Sequence, residues 1–412
     1  MSGVACAVVV LALMVCLAPS AVANPRSAVQ TAASPFVVSG SEPDLIGPLQ
    51  QWSNEFASAV ARHPQQSRAP VFGADLVVAD SNRGSVLLDP TTLPGVALTL
   101  DRFRELGVRG VTLAIGYPLL VRGFSGRRRY LGFYEAVARA ARRRGMRVAV
   151  EQIVLFSNSV FSPWRIDFRG LTLQRFTAEQ HQMAQTIIDA LHPDYLTVLH
   201  EPDTYATLTG LKQFNHPSMA AQYVRGVLRG LRRGRTKVGA GSGTWSSPEY
   251  VRQFAAHTSV DYIDLHVYWT YPGAITAGYR MAQFADRYHK PIVIDEAWLY
   301  KSVGTGVEGT ASLAGWAAVF RRDVFDIFQP LDAAFLTNVS AFARTVGALY
   351  ISPFWTSQFF AYVPYGPATQ DLSYQKLQDG LEPAAAAAAI TNDQFSATGL
   401  RYRDIIRAAQ RH

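Results

Sequence analysis

The pattern of hydrophobic and polar positions changes regime at Val71. Upstream, the stretch from Asn24 to about Pro70 is rich in Ser, Pro, Ala and Gln, and only Leu49–Ala61 has the spacing of one short helix. Downstream, short apolar and β-branched runs recur at Val71–Ala79, Val108–Ile115, Arg147–Leu155, Tyr195–Glu201, Lys237–Gly241, Tyr262–Tyr268, Pro291–Glu296 and Val346–Trp355. The segments between them carry apolar residues at helical spacing. Leu98, Phe103 and Leu106 precede a stop at Gly107, and Tyr134, Val137, Ala138 and Ala141 precede one at Gly145. Strands alternating with helices imply parallel pairing through right-handed crossovers. Eight such units over roughly 290 residues predict an α/β fold, a (β/α)8 TIM barrel over 71–412, with an N-terminal extension over 24–70. Ala384–Ala389 reads as one or two turns of helix after Pro383, and a helix at about 400–410 would close the barrel as its eighth.

The first 23 residues read as a signal peptide. An apolar run from Val4 to Leu17 leads to Ala21-Val22-Ala23, the small-x-small pattern of a cleavage site. The expectation is a secreted or extracytoplasmic protein. Met1-Ser2-Gly3 carries no Lys or Arg, which leaves an uncleaved anchor as the alternative. No other stretch is long and apolar enough to span a bilayer, so no stable membrane insertion is expected after cleavage. Both cysteines, Cys6 and Cys16, lie in the leader. The mature chain would therefore have no disulfide framework, no Cys-ligated zinc and no thiol nucleophile.

With half of its residues hydrophobic and 17% charged, the chain can bury a full core. Disorder, collagen-like repeats and coiled coils are excluded. The balance of +8 comes mostly from Arg. Arg142-Arg143-Arg144, Arg232-Arg233 and Arg235 fall at helix ends, where cations complement the helix dipole on the barrel's bottom face. They lack interleaved aromatics, so no nucleic-acid partner is expected. Arg122, Arg127, Arg128, Arg129, Arg165 and Arg169 fall in loops on the opposite face. These either meet an acidic or hydroxylated ligand or are solvated loop charge.

In a barrel of this kind the acting side chains lie at the C-terminal ends of the strands. Strand four ends in His200-Glu201-Pro202 and strand seven in Asp295-Glu296-Ala297-Trp298. Strand six ends in His266-Val267-Tyr268-Trp269 and strand eight in Phe354-Trp355. A Glu closing an apolar strand is costly to bury. Two of them across the barrel mouth suit glycoside hydrolysis: one carboxyl protonates the leaving oxygen and the other attacks the anomeric carbon. Carboxyls about 5–5.5 Å apart would give retention.

These residues resemble the clan A glycoside hydrolases, retaining (β/α)8-barrel enzymes of the cellulase-like superfamily. The family's Asn-Glu-Pro on strand four appears as His200-Glu201-Pro202, its strand-seven Glu as Glu296, its strand-six His-x-Tyr as His266-Val267-Tyr268 and its strand-eight Trp as Trp355. The resemblance implies that Glu201 is the general acid/base and Glu296 the nucleophile. Tyr268 would hydrogen-bond the nucleophile, His266 would line the pocket, and Trp355 would stack on a sugar ring. Trp245, Trp269 and Trp298, at or just past strand ends, are candidate subsite platforms, with Asn158 and Trp164 as weaker ones. The departure is His200, standing where the family has the Asn that binds the sugar 2-hydroxyl. It puts the substrate's 2-position in question and leaves room for a barrel that binds sugar without cutting it.

The expectation is therefore a secreted retaining glycoside hydrolase acting on an oligosaccharide or polysaccharide, with no metal and no organic cofactor. The alternative is a non-catalytic carbohydrate-binding barrel. Oligomeric state stays open. Other motifs fail: the strand-four end lacks the second His of a zinc-protease helix, which Pro202 would break. Gly239–Gly243 fits neither a nucleophile elbow nor a dinucleotide loop. The Asn338-Val339-Ser340 sequon matters only in a host that glycosylates exported proteins.

Overall fold

The computed structural model describes residues 41–269, 273–303 and 312–411. The proposed leader, residues 1–23, lies outside the described residues. Eight parallel strands form one sheet: β1 (Val71–Phe72), β2 (Gly110–Tyr117), β3 (Arg147–Val154), β4 (Tyr195–Thr197), β5 (Lys237–Gly243), β6 (Tyr262–Trp269), β7 (Ile292–Leu299) and β8 (Tyr350–Pro353). The order β1-β8-β7-β6-β5-β4-β3-β2 is sequential around a ring. Closure comes just past β1, where Asp75 pairs in parallel with Thr112 of β2 and the amide of Leu76 donates to the Thr112 carbonyl at 3.0 Å. The predicted (β/α)8 barrel is thus present.

Helices occupy the segments where the 3.6-residue pattern placed them, and the two predicted glycine stops work through their backbone. Gly107 and Gly145 adopt φ of +89° and +72°, the left-handed conformation that ends a helix at little cost only for Gly. The final helix runs over Ala397–Ala409, and the alanine tract belongs to a longer helix, Glu382–Thr391. β8 is shorter than its hydrophobic run because the preceding helix continues to Thr345 and Gly347 then turns with φ +65°.

Part of the N-terminal extension is packed on the barrel wall. The helix Ile46–Ala61 buries Leu49, Ser53, Phe56 and Val60 at i, i+4, i+7 and i+11. Phe56 meets Phe335 and Phe342 of the helix Gln329–Thr345, with ring centroids 6.0 and 6.4 Å apart. In that same helix Asn338 is buried, and its amide donates to the Ser53 carbonyl at 2.9 Å, so the sequon faces the core.

The basic runs do act at helix ends. Arg142 donates to the terminal carbonyls of the helix Leu173–Leu191, and Arg233 to the carbonyl of Ser259 and the carboxylate of Asp261. Arg127, Arg128 and Arg129, expected in a loop, instead open the helix Arg127–Arg143, where Arg127 donates to the Leu120 carbonyl; in the loop after β3, Arg165 donates to the Trp164 carbonyl and Arg169 pairs with Asp167. Among the described residues no helix is long and apolar enough to cross a membrane.

Inside the barrel the side chains sort into layers. At the bottom, Tyr195, Tyr262 and Tyr350 pack with Ala149 and Val293. Tyr262 explains Gly239 of β5, where a Cβ would lie 2.2 Å from its ring, and the β6 backbone explains Gly241, where a Cβ would lie 1.8 Å from the Asp264 carbonyl. Above them the interior turns acidic, which positions the site.

Candidate active site

Inward positions alternate along a strand, so Tyr262, Asp264, His266 and Tyr268 of β6 form a column from the floor to the mouth. On β7 the alternation is broken. Asp264 pairs with Val293 and His266 with Glu296, so β7 spends one residue more than β6 over the same rise, and one more than β8 on its other side. This bulge turns the sequence neighbours Asp295 and Glu296 both toward the interior. Glu201 lies four residues past the end of β4, and Pro202 opens the helix Pro202–Thr209 behind it.

The predicted pair meets at the mouth. Glu201 and Glu296 bring carboxylate oxygens within 4.8 Å of each other, and each keeps 14% of its side chain exposed. Glu201 accepts from the Thr204 hydroxyl at 2.6 Å and from His266 Nδ1 at 2.8 Å. Glu296 accepts from the Tyr268 hydroxyl at 2.6 Å and lies 3.8 Å from the same Nδ1.

His266 is fully buried among acids. Its Nε2 lies 3.4 Å from Glu151, 3.3 Å from Asp264 and 3.3 Å from Asp295. Burial alone would discharge the ring, but Glu296 and Asp264 foremost hold it charged, well above the usual histidine range. Burial likewise opposes the charge on Asp295. Hydrogen bonds with Asp264 and His266, and the Thr197 hydroxyl donating at 2.7 Å, keep it ionised below the ordinary range. Burial and then the Asp295 charge push Glu151 and Asp264 well above the usual carboxylate range. Asp75 is pushed up by burial and then by Asp80.

The two glutamates shift in opposite directions. Burial raises Glu296 to about 7, with the Glu201 charge adding to it against the pull of His266. For Glu201 burial is outweighed by the His266 hydrogen bond and charge, and it falls below its usual range. Carboxylates this close titrate as a pair, with Glu296 shifted up and Glu201 shifted down.

His200 stacks on His266 with centroids 4.8 Å apart and planes at 15°. Burial, then the adjacent His266 charge, drops it to about 4, so it is a neutral imidazole. Trp245 is half-buried at the mouth, edge-on to Tyr268 at 5.7 Å, and donates to Asp203 at 2.8 Å. Trp355 is 7% exposed and packs against Phe354 and Phe320.

Three expected contacts are corrected. Trp298 is 0% exposed, with the Lys301 ammonium 5.5 Å from its ring centroid, so it is a core residue and offers no platform. Asn158 is an exposed turn residue with φ +59° whose amide donates to the Ile166 carbonyl at 2.7 Å, so it holds its own loop. Trp164 donates to the Ser81 carbonyl and packs on Phe124 and Tyr130, so it ties its own loop down. The side chain of Trp269 lies outside the described residues.

The residues missed by sequence reasoning are Glu151, Asp264 and Asp295. Each is an acid inside an apolar strand run, the same signal that singled out Glu201 and Glu296. With His266, and with His200 for Glu151, they bring donor atoms within 4.8 Å of one another. An imidazolium has no lone pair for a metal, so the Asp295–His266 charge pairing and a bound cation are competing uses of the same atoms. A separate cavity of about 340 Å³ lies between the loops after β2 and β3, lined by Tyr117, Phe124, Phe168 and Arg175 among others, and contains neither glutamate.

No protein-family model and no curated protein matches the chain. Solved structures match it as folds. The exo-beta-1,4-mannosidase Op5Man5 from Opitutaceae bacterium strain TAV5 aligns with TM-score 0.53 and 16% identity over 85% of this chain. This chain spans only 62% of that protein's length. A GH5_18 protein from Streptomyces cattleya, solved with GlcNAc, aligns with TM-score 0.50 and 16% identity, covering 83% of this chain and 81% of its own. A variant GH5_18 protein from Bifidobacterium longum subsp. longum ATCC 55813, solved with Manb1-4GlcNAc, aligns with TM-score 0.52 and 11% identity, covering 83% and 78%. At these identities the likeness is one of fold.

Proposed function

We propose that this chain is an exported glycoside hydrolase that cleaves an oligosaccharide or polysaccharide with retention of configuration, using Glu201 as acid/base and Glu296 as nucleophile. The observation that carries this reading is the approach of the two carboxylates within 4.8 Å, with Tyr268 donating to Glu296. That spacing leaves no room for a water between carboxylate and sugar, as inversion would need, and suits direct attack. Glu296 attacks the anomeric carbon while Glu201 protonates the departing oxygen, giving a covalent glycosyl-enzyme. Glu201 then takes a proton from water, whose oxygen displaces Glu296.

The productive state needs the proton on Glu201 and an ionised Glu296, the reverse of the shifts in the free protein, so substrate binding has to reverse their order. His266 Nδ1 lies next to both carboxylates. The binding-only alternative is less well supported, because a site that merely holds sugar has no need of two close, unequally titrating carboxylates. Export rests on the leader alone.

The test is sugar release from a glycan panel led by β-1,4-mannosides, since two of the structural neighbours are named for such sugars. Glu296→Gln should abolish release with the fold intact. Glu201→Ala with azide should yield a glycosyl azide of retained configuration. Full activity of Glu296→Gln on any cleaved glycan would overturn the mechanism.

A further inference from the structure

The acids beneath His266 have no part in the cycle just described, yet acids are costly to bury in a barrel. Glu151, Asp264 and Asp295 are all 0% exposed. Both oxygens of Glu151, Oδ2 of Asp264, Oδ1 of Asp295 and Nε2 of His266 have no hydrogen-bond partner of good geometry, and Glu151 Oε1, Asp264 Oδ2 and Asp295 Oδ1 lie 3.3–3.4 Å from that nitrogen. Several buried acids around one unpaired nitrogen would cost far more than a barrel gains from packing there unless the nitrogen carries a proton and the ring a charge.

We propose that Asp295, with Asp264 and Glu151, is a positioning set that clamps His266 as a permanent imidazolium, making the ring a fixed cation between the two glutamates. The chain of contacts is continuous. The Tyr262 hydroxyl meets Thr197 Oγ1 at 2.8 Å, Thr197 donates to Asp295 at 2.7 Å, Asp295 faces Nε2, and Nδ1 donates to Glu201 at 2.8 Å. Among the described residues, the charged and titratable groups around the ring come from several elements. They are Asp75 from beside β1, Glu151 from β3, His200 and Glu201 after β4, Tyr205 from the helix Pro202–Thr209, Asp264 from β6, and Asp295 and Glu296 from β7. His200 is neutral and cannot replace the cation. A cation fixed between two close carboxylates lets the pair hold a single proton at neutral pH, which is the state retention needs. The consequence for activity rests on the glycosidase reading; the clamp itself does not.

The test is nitrogen NMR of the full chain labelled at histidine, with the His266 signal among the nine identified by its loss in His266→Gln. Both ring nitrogens of His266 should stay protonated from pH 5 to 9. In Asp295→Asn the ring should titrate inside that window, and Asp295→Glu should restore the charge. On a cleaved glycan, Asp295→Asn should lower kcat 10- to 100-fold, change KM less than threefold, and move the alkaline limb of the rate profile down by at least one pH unit. A wild-type His266 with an unprotonated Nε2, or one that titrates below pH 8, overturns the clamp. So does an Asp295→Asn variant whose His266 stays charged throughout. The wild-type spectrum decides the matter even if that variant fails to fold. A sound clamp with no sugar release from any glycan would instead remove the glycosidase reading.

Discussion

His200 lies face to face on His266, 4.8 Å away, and the two stacked rings carry different charges. The lower ring is held as imidazolium by the acids beneath it, and its charge helps to keep the upper ring neutral. His200→Asn should keep the fold and lower kcat/KM about 2- to 10-fold, the worth of one aromatic pair at about 0.5–1.5 kcal/mol. The shape of the rate profile between pH 5 and 8 should not change, because His200 titrates below that range. Loss of a transition near the ordinary histidine value would show that His200 is charged in the working enzyme.

The Tyr268 hydroxyl stabilises the ionised form of Glu296, so its removal must raise the pH at which that carboxylate ionises. A hydrogen bond to a charge contributes about 1.5–3 kcal/mol, equivalent to about one to two pH units. Tyr268→Phe should move the acidic limb of kcat/KM upward by that amount. A profile that only scales down would mean that Tyr268 acts by packing.

Trp245 and Trp298 should separate cleanly. Trp245→Ala at the mouth should raise KM on longer oligosaccharides and leave thermal stability nearly unchanged. Trp298→Ala should cost about 3–5 kcal/mol of stability, as buried aromatic truncations do, and be seen first as a lower Tm. Equal stability loss in both variants would place Trp245 in the core as well.

Lys301 is 0% exposed and bonds Asp323 at 2.6 Å and Asp332 at 2.7 Å. Lys301→Met strands two buried carboxylates and should destabilise the chain by about 3–5 kcal/mol near neutral pH. Burial raises Asp323 to about 7 even with the lysine present, against the pull of Lys301. A raised folded-state value means that the protonated acid is the form the fold favours. Its contribution is complete below the ordinary carboxylate value and fades as pH rises through about 7. The variant should therefore be closest to wild type at pH 4–5 and fall away at pH 8, as melting curves at both would show.

Much of the barrel was legible because its signals are local. Gly107 and Gly145 end helices by their own backbone freedom, and the eight runs mark strands whose partners lie next in sequence. Glu201, Glu296, His266 and Tyr268 could be found together because strand ends in a closed barrel share one face. Platform residues were less legible. Trp298 and Trp245 both stand at or just after strand ends, and only the packing of Lys301 around one and the contact with Tyr268 at the other separates core from mouth.

The sequence by itself determined the βα rhythm and the identity of the opposed glutamates, since strand period and helix stops depend on neighbours a few residues away. Tertiary structure alone decided what those glutamates are electrically. Simple alternation would send Asp295 and Glu296 to opposite faces of β7, and the extra residue that turns both inward exists only in register with β6 and β8. The charge of His266 then follows from groups on β3, β6 and β7 meeting out of water, where each proton's position depends on all the others.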